Sequence, residues 1–245
     1  FLSIAGVMVG AVVILLLTVR ENRLRREIED TEKIREKAAL DSTEKDREPE
    51  KKRTEEKEIP GGLPREVKKS MVFMLLSIFF WFTAYNAVTT AFSRYTRVVW
   101  KMEGGSFANC LMVATVAAIL SYIPIGAVSA KIGRKKTIMG GVLMMAVCYL
   151  AAFFVNEYHL WINIAFALIG IGWAAINVNS YPMIVAMSQG SDIGKYTGTY
   201  YTFSMAAQVV TPILSGALLE NVSYRTLFPY AFVFAVLAFC TMTQV

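Results

Sequence analysis

Three long apolar stretches of this chain carry polar and aromatic side chains of a kind that recognises hydroxylated rings. Asn177 and Asn179 lie deep in the run 160–187, and Trp173 stands one helical turn before Asn177. Amide groups that bond hydroxyls, next to a flat aromatic face, are what binding of a pyranose ring needs. Tyr181 follows Asn177 by one turn. Pro182 lacks the N–H of an intrahelical bond, so a kink there would expose carbonyl groups. In the run 71–93, Asn86 and Thr90 share one side of a helix, with Tyr85 and Thr89 beside them. In the run 196–219, Tyr201, Ser204 and Gln208 fall at i, i+3 and i+7 next to Tyr200, and the spacing predicts one polar stripe. A second reading of all three stripes has the polar groups bonding neighbouring helices and Trp173 facing lipid. The candidate ligand contacts are Asn86, Trp173, Asn177, Asn179, Tyr201 and Gln208.

Other chemistry is poorly represented. The chain has one histidine, His159, and three cysteines, Cys110, Cys148 and Cys240, all in apolar surroundings without a polarising partner. There is no metal-binding His/Glu pattern, no glycine-rich phosphate loop and no nucleophile–base pair. An enzyme is not expected, nor is a cofactor or a metal site. Arg94, Arg97 and Lys101 would attract an anionic ligand, but read better as the boundary of a membrane span. Asn221-Val222-Ser223 matches a glycosylation sequon, a short and weak signal.

The elements that must position these residues follow from composition. Of 245 residues 55% are hydrophobic, and mean hydropathy is +0.46. Residues 20–70 hold 16 of the 25 basic and 15 of the 19 acidic side chains. The remainder has too little polar surface for a domain in water. Seven segments are long and apolar enough to span hydrocarbon: 1–19, 71–93, 107–130, 137–155, 160–187, 196–219 and 227–245. None has Asp, Glu, Lys or Arg in its interior, and none alternates as a barrel strand does. The fold class expected is an all-α membrane bundle. Most of the basic charge that gives a pI of 9.2 is matched by acid in the same loop, so nucleic acid is not an expected partner.

Loop 20–70, turn 131–136 and loop 188–195 fall on one side of the bundle and hold most of the Lys and Arg. The positive-inside rule places that side, with loop 20–70, in the cytoplasm of a multi-pass cell-membrane protein. Residues 20–40 are good helix formers with pairs such as Glu21–Arg25. Residues 41–59 read as a solvated linker, and Pro60 to Pro64 break any helix. The chain opens at Phe1 inside an apolar run, which predicts a piece of a longer protein.

Gly126-Ala127-Val128-Ser129-Ala130-Lys131-Ile132-Gly133-Arg134-Lys135-Lys136 resembles the cytoplasmic loop signature of the major facilitator superfamily, G-x-x-x-D-R/K-x-G-R-R/K-R/K. Ala130 departs from it where the signature has an acid, which puts an acid-based gate lock in doubt. The family has two six-helix halves joined by a long cytoplasmic loop. The resemblance implies that 1–19 is the last helix of the N-terminal half, 20–70 the central loop and 71–245 the C-terminal six-helix domain. Gly170 to Met183 and Gly194 to Phe203 resemble the tenth and eleventh helices of glycoside–pentoside–hexuronide cation symporters, the sucrose-transporter-like branch in particular.

The resemblance implies a secondary transporter that moves a sugar or glycoside by alternating access, coupled to H+ or Na+ symport. Its partners would be the sugar, the cation, the lipid bilayer and the N-terminal half, which in these symporters carries the coupling carboxylates. Gly126, Lys131, Gly133, Arg134 and Lys135 would shape the cytoplasmic gate. Two rivals stand beside this reading: an exporter of amphipathic small molecules, consistent with 12 methionines, and a non-transporting sensor signalling through loop 20–70.

Overall fold

An apolar run without internal charge has one stable arrangement in hydrocarbon, a helix that satisfies its own N–H and C=O groups. The computed structural model describes residues 65–187 and 193–245, and in these residues each apolar run is helical. The helices are α1 (Arg65–Val98), α2 (Phe107–Ile132), α3 (Arg134–Phe153), α4 (Ile162–Met187), α5 (Ile193–Asn221) and α6 (Leu227–Thr243), with a 3-10 turn at Tyr224–Thr226. All six are long and apolar enough to cross a membrane, the last when taken with its 3-10 turn as Tyr224–Thr243. The segment 1–19, most of the loop 20–70 and residues 188–192 lie outside the described residues.

Helix ends differ from the apolar runs where charge continues the helix. α1 begins at Arg65 rather than residue 71, because Arg65, Glu66, Lys68 and Lys69 favour helix and reach water. The reversal expected over 131–136 shrinks to Gly133. Lys131 lies in the last turn of α2, and Arg134, Lys135 and Lys136 form the first turn of α3. Gly133 has φ +93° and ψ 147°, a conformation that only glycine adopts without strain.

Packing pairs the helices in a repeated pattern. α4 rests on α2 and α3, as α1 rests on α5 and α6, while α3 and α6 meet each other. Exchanging α1 with α4, α2 with α5 and α3 with α6 maps the first four of these contacts onto one another and the α3–α6 contact onto itself. Small residues permit the closest approaches. A Cβ on Gly170 would lie 2.0 Å from the Ala114 carbonyl oxygen on α2. Gly141 and Gly172 approach so closely that a Cβ on either would lie 2.7 Å from the other's carbonyl oxygen.

The two ends of the bundle are closed differently. At one end the Ser70 hydroxyl donates to the Val245 carbonyl (3.4 Å) and Lys135 Nζ to the Thr243 carbonyl (3.2 Å). Arg134 donates to the Pro182 carbonyl there as well, at 3.2 Å. Three cations in the first turn of α3 oppose that helix's dipole. Carbonyls near the C-terminal ends of α4 and α6, where the dipole is negative, offset this for two of them. The opposite end is closed by rings: Phe92 meets Phe166 at 4.7 Å, Tyr95 meets Phe228 at 4.9 Å, and Trp100 donates to the Val155 carbonyl.

Candidate functional site

α1 and α4 touch little, and where they cross they do so through aromatic rings. The Trp173 indole lies flat on the Tyr85 ring, with centroids 3.8 Å apart and planes 4° apart. Phe82 meets the same indole edge-on at 5.2 Å. Trp173 is near the middle of α4, and Phe82 and Tyr85 are near the middle of α1. The stack therefore occupies the central layer of the bundle.

Asn177, one turn along α4 from Trp173, is half-buried and donates to the Trp173 carbonyl at 2.9 Å. Asn86, next to Tyr85, is likewise half-buried and donates to the Phe82 carbonyl at 2.8 Å. Each amide thus uses one N–H on its own helix and keeps an oxygen and a second N–H for other partners. Thr90 is exposed and donates back to the Asn86 carbonyl. The result is a partly exposed surface of two aromatic rings, two amides and a hydroxyl. Among the described residues, every Asp, Glu, Lys and Arg lies towards a helix end or in a connection.

The other candidate residues fall elsewhere. Asn179 is 2% exposed at the α2–α4 contact, where its side-chain oxygen accepts from Ser129 and its amide donates to the Ala175 carbonyl. In this arrangement Asn179 holds two helices together. Tyr201 belongs to a tyrosine group nearer the basic end, tilted against Tyr181 at 6.4 Å and edge-on to Tyr200 at 5.3 Å. Ser180 and Tyr200 share a hydrogen bond, as do Tyr181 and Thr197, so the group ties α4 to α5. Gln208 is half-buried near the middle of α5 and donates to the Ser204 carbonyl.

The stripe expected on α5 therefore divides. Tyr201 is 50% exposed, while Tyr200 and Ser204 are buried. Tyr200 is about 100° around the helix from Tyr201, and Ser204 about 60°, enough to cross from the open face to the packed one. At the basic turn, Arg134 and Lys135 hold the carbonyls of Pro182 and Thr243, and Lys131 is exposed. Gly126 is half-buried with open space where a Cβ would stand. Sequence reasoning passed over Ser129 and the Tyr85–Trp173 stack. A serine inside the signature run was the only signal for the first, and nothing local pointed to the second.

The sequence profile of the Major Facilitator Superfamily matches residues 102–243. Over 168 residues the chain is 26% identical to the chloramphenicol resistance protein CraA of Acinetobacter baumannii. That alignment takes in 64% of this chain and 38% of CraA, so the chain spans well under half the length of this curated relative.

Proposed function

Because the chain belongs to the Major Facilitator Superfamily and is a multi-pass membrane protein, we propose that it is the C-terminal part of a secondary transporter for a neutral, hydroxyl-bearing ring compound. A sugar or glycoside is the preferred cargo. The observation that carries this reading is the uncharged surface of Tyr85, Trp173, Asn86 and Asn177 at mid-helix. Burying an ion there, away from any countercharge, would cost several kcal/mol, on the order of the penalty for an unpaired charge in a membrane interior. Amides and aromatic rings instead suit hydroxyls and the apolar faces of a sugar.

In this reading the N-terminal half supplies the facing surface and the two halves rock around the cargo. Coupling to H+ or Na+ falls to carboxylates of that half, since the described acids sit at helix ends or in connections. Lys131, Gly133, Arg134 and Lys135 work at the cytoplasmic gate. Asn86, Asn177 and Trp173 contact the cargo first. Tyr201 and Gln208 join from α5, and Asn179 supports α4 from behind.

One observation favours the exporter of amphipathic molecules. Tyr85 covers one face of Trp173, which leaves less flat ring for a sugar and more mixed aromatic surface. The resistance named for CraA points the same way.

The test is transport by the full-length protein in proteoliposomes, with imposed H+ or Na+ gradients. Labelled glucosides, disaccharides, hexuronates and chloramphenicol are compared. Gradient-driven accumulation of a neutral glycoside, reduced at least tenfold in Asn177→Ala, is the expected result. Movement of chloramphenicol alone would replace the sugar by the exporter reading. No movement of any of them by folded protein would refute transport of this cargo class.

A further inference from the structure

At the end of the bundle away from the basic turn, α1 and α5 both finish, and the segments that follow them frame an open cleft of about 470 Å³. Lys101 and Arg225 line it, together with Ser223, Glu220 and apolar side chains such as Val98 and Val222. Glu220 is already engaged by Arg94, at 2.7 Å. Among the described residues neither Lys101 nor Arg225 pairs with an acid.

Lys101 stands there against the preference of the backbone. Its φ is +51°, in the left-handed region that favours glycine. The Met102 N–H donates to the Thr96 carbonyl at 3.1 Å, and that bond closes α1 around one left-handed residue, a position that glycine commonly fills. An observed strain of this kind points to a use for the side chain that causes it.

Cations near helix C-termini ordinarily offset the negative ends of the dipoles. Here that role is filled by other groups. Arg97 lies in the last turn of α1. The Tyr95 and Thr96 carbonyls accept from the Val99 and Met102 N–H groups, and on α5 the Ala217 and Leu218 carbonyls accept from the Asn221 amide and the Val222 N–H. Lys101 and Arg225 lie beyond both helices, with their charge available to a ligand. The Ser223 hydroxyl accepts from the Arg225 N–H, which leaves its own hydrogen to donate.

An anion that meets the Arg225 fork, the Lys101 ammonium and the Ser223 hydroxyl together needs several oxygens, as a phosphate group has. The cleft falls within the roughly 300–1,000 Å³ of small-molecule sites, so it also has room for what the phosphate is attached to. Val98 and Val222 are 52% and 67% exposed and offer that attachment an apolar wall. We propose that the cleft binds a phosphate diester of net negative charge, with Lys101 and Arg225 as its anion-binding residues. Two sources share this chemistry, the head group of an anionic phospholipid and a free organic phosphate. The site is separate from the cargo surface and stands whatever the cargo is.

The test is native mass spectrometry of the full-length protein in neutral detergent, with phosphatidylglycerol as probe and phosphatidylcholine as control. The choline cation would meet Lys101 and Arg225, so saturable binding with preference for phosphatidylglycerol is expected. Lys101→Gly and Arg225→Gln are each expected to weaken the tightest-bound phosphatidylglycerol about tenfold, the size of a charge-assisted hydrogen bond near the surface. Lys101→Gly also relieves the left-handed strain, so its thermal midpoint should equal or exceed that of the wild type. It carries the test if Arg225→Gln fails to fold. Arg97→Gln removes the same charge from the same end, but Arg97 does not line the cleft, and binding should match the wild type. Displacement of the lipid by glycerophosphoglycerol, the head group without its chains, would make a free organic phosphate the ligand, and retention would make it the phospholipid. Equal losses in Arg97→Gln and Lys101→Gly would reduce the effect to diffuse surface charge and overturn the site. Binding unchanged in Lys101→Gly, or equal for the two lipids, would overturn it as well.

Discussion

Gly170→Ala adds one methyl group at the tightest contact between α2 and α4. The new Cβ would stand 2.0 Å from the Ala114 carbonyl oxygen, 2.8 Å from its carbon and 3.0 Å from Ala114 Cα. An ordinary contact to that oxygen is more than 3 Å, so the helices must part by over an ångström. No flexible side chain can yield, because all three of these atoms are backbone. Gaps of that size forfeit about a quarter to a half of each dispersion contact nearby. Ala118, Ala174 and Ala175 belong to the small cluster on the same two helices and would lose theirs. Overpacking of a rigid core costs about 1–3 kcal/mol, and the backbone obstacle places this change at the upper end.

Helix propensity pulls the other way, by about 1 kcal/mol for Gly to Ala. Gly216 isolates that opposing effect, since nothing lies within 4 Å of its would-be Cβ. Gly216→Ala is expected to be neutral or slightly stabilising, and Gly170→Ala to lose about 2 kcal/mol net. The difference of about 3 kcal/mol is roughly a hundredfold in the unfolding constant, at about 1.4 kcal/mol per decade. Unfolding of the full-length protein against SDS mole fraction, followed by circular dichroism, reads it. Equal midpoints for the two variants would refute the close approach of α2 and α4.

Other perturbations separate the roles of neighbouring residues. Gly133→Ala forces a Cβ into φ +93° and is expected to cost about 1–3 kcal/mol in the same unfolding assay, although there is open space around it. Ser129→Ala leaves the Asn179 oxygen without its partner on α2 and is expected to cost about 1 kcal/mol. In transport assays it should leave the apparent substrate affinity unchanged, and a tenfold rise in KM would instead move Asn179 to the cargo. Arg94→Ala breaks an ion pair whose side chains are 65% and 58% exposed, and the unfolding midpoint is expected to stay where it is in the wild type.

Much of the bundle was legible because hydrocarbon leaves the backbone so little choice. Each apolar run after residue 70 is a helix, including those that contain Pro124, Pro182 and Pro212. Ends were less legible: Arg65 to Lys69 and Arg134 to Lys136 prolong helices past the apolar boundary, and hydropathy does not register that. Faces were harder still. Tyr200 and Tyr201 are adjacent in sequence, yet one is packed against α4 and the other open. The Trp173–Tyr85 stack joins residues 88 positions apart, and Ser129 reaches Asn179 across 50. Such contacts depend on how whole helices cross, which no local spacing encodes.

The pairing of helices also sets a timetable for making the protein. Of the six described helices, α1, α2 and α3 are synthesised first and share few contacts; α1 waits for α5 and α6, and α2 for α4. A nascent chain would therefore hold three largely unassociated helices in the bilayer until residue 187 has emerged. Ser129 has no Asn179 until then, and Ala114 faces lipid in place of Gly170. α6 is the last helix of the bundle to arrive and packs on both α1 and α3. It thereby joins the early helices to the late ones, so the bundle closes only when the ribosome has delivered residues 227–243.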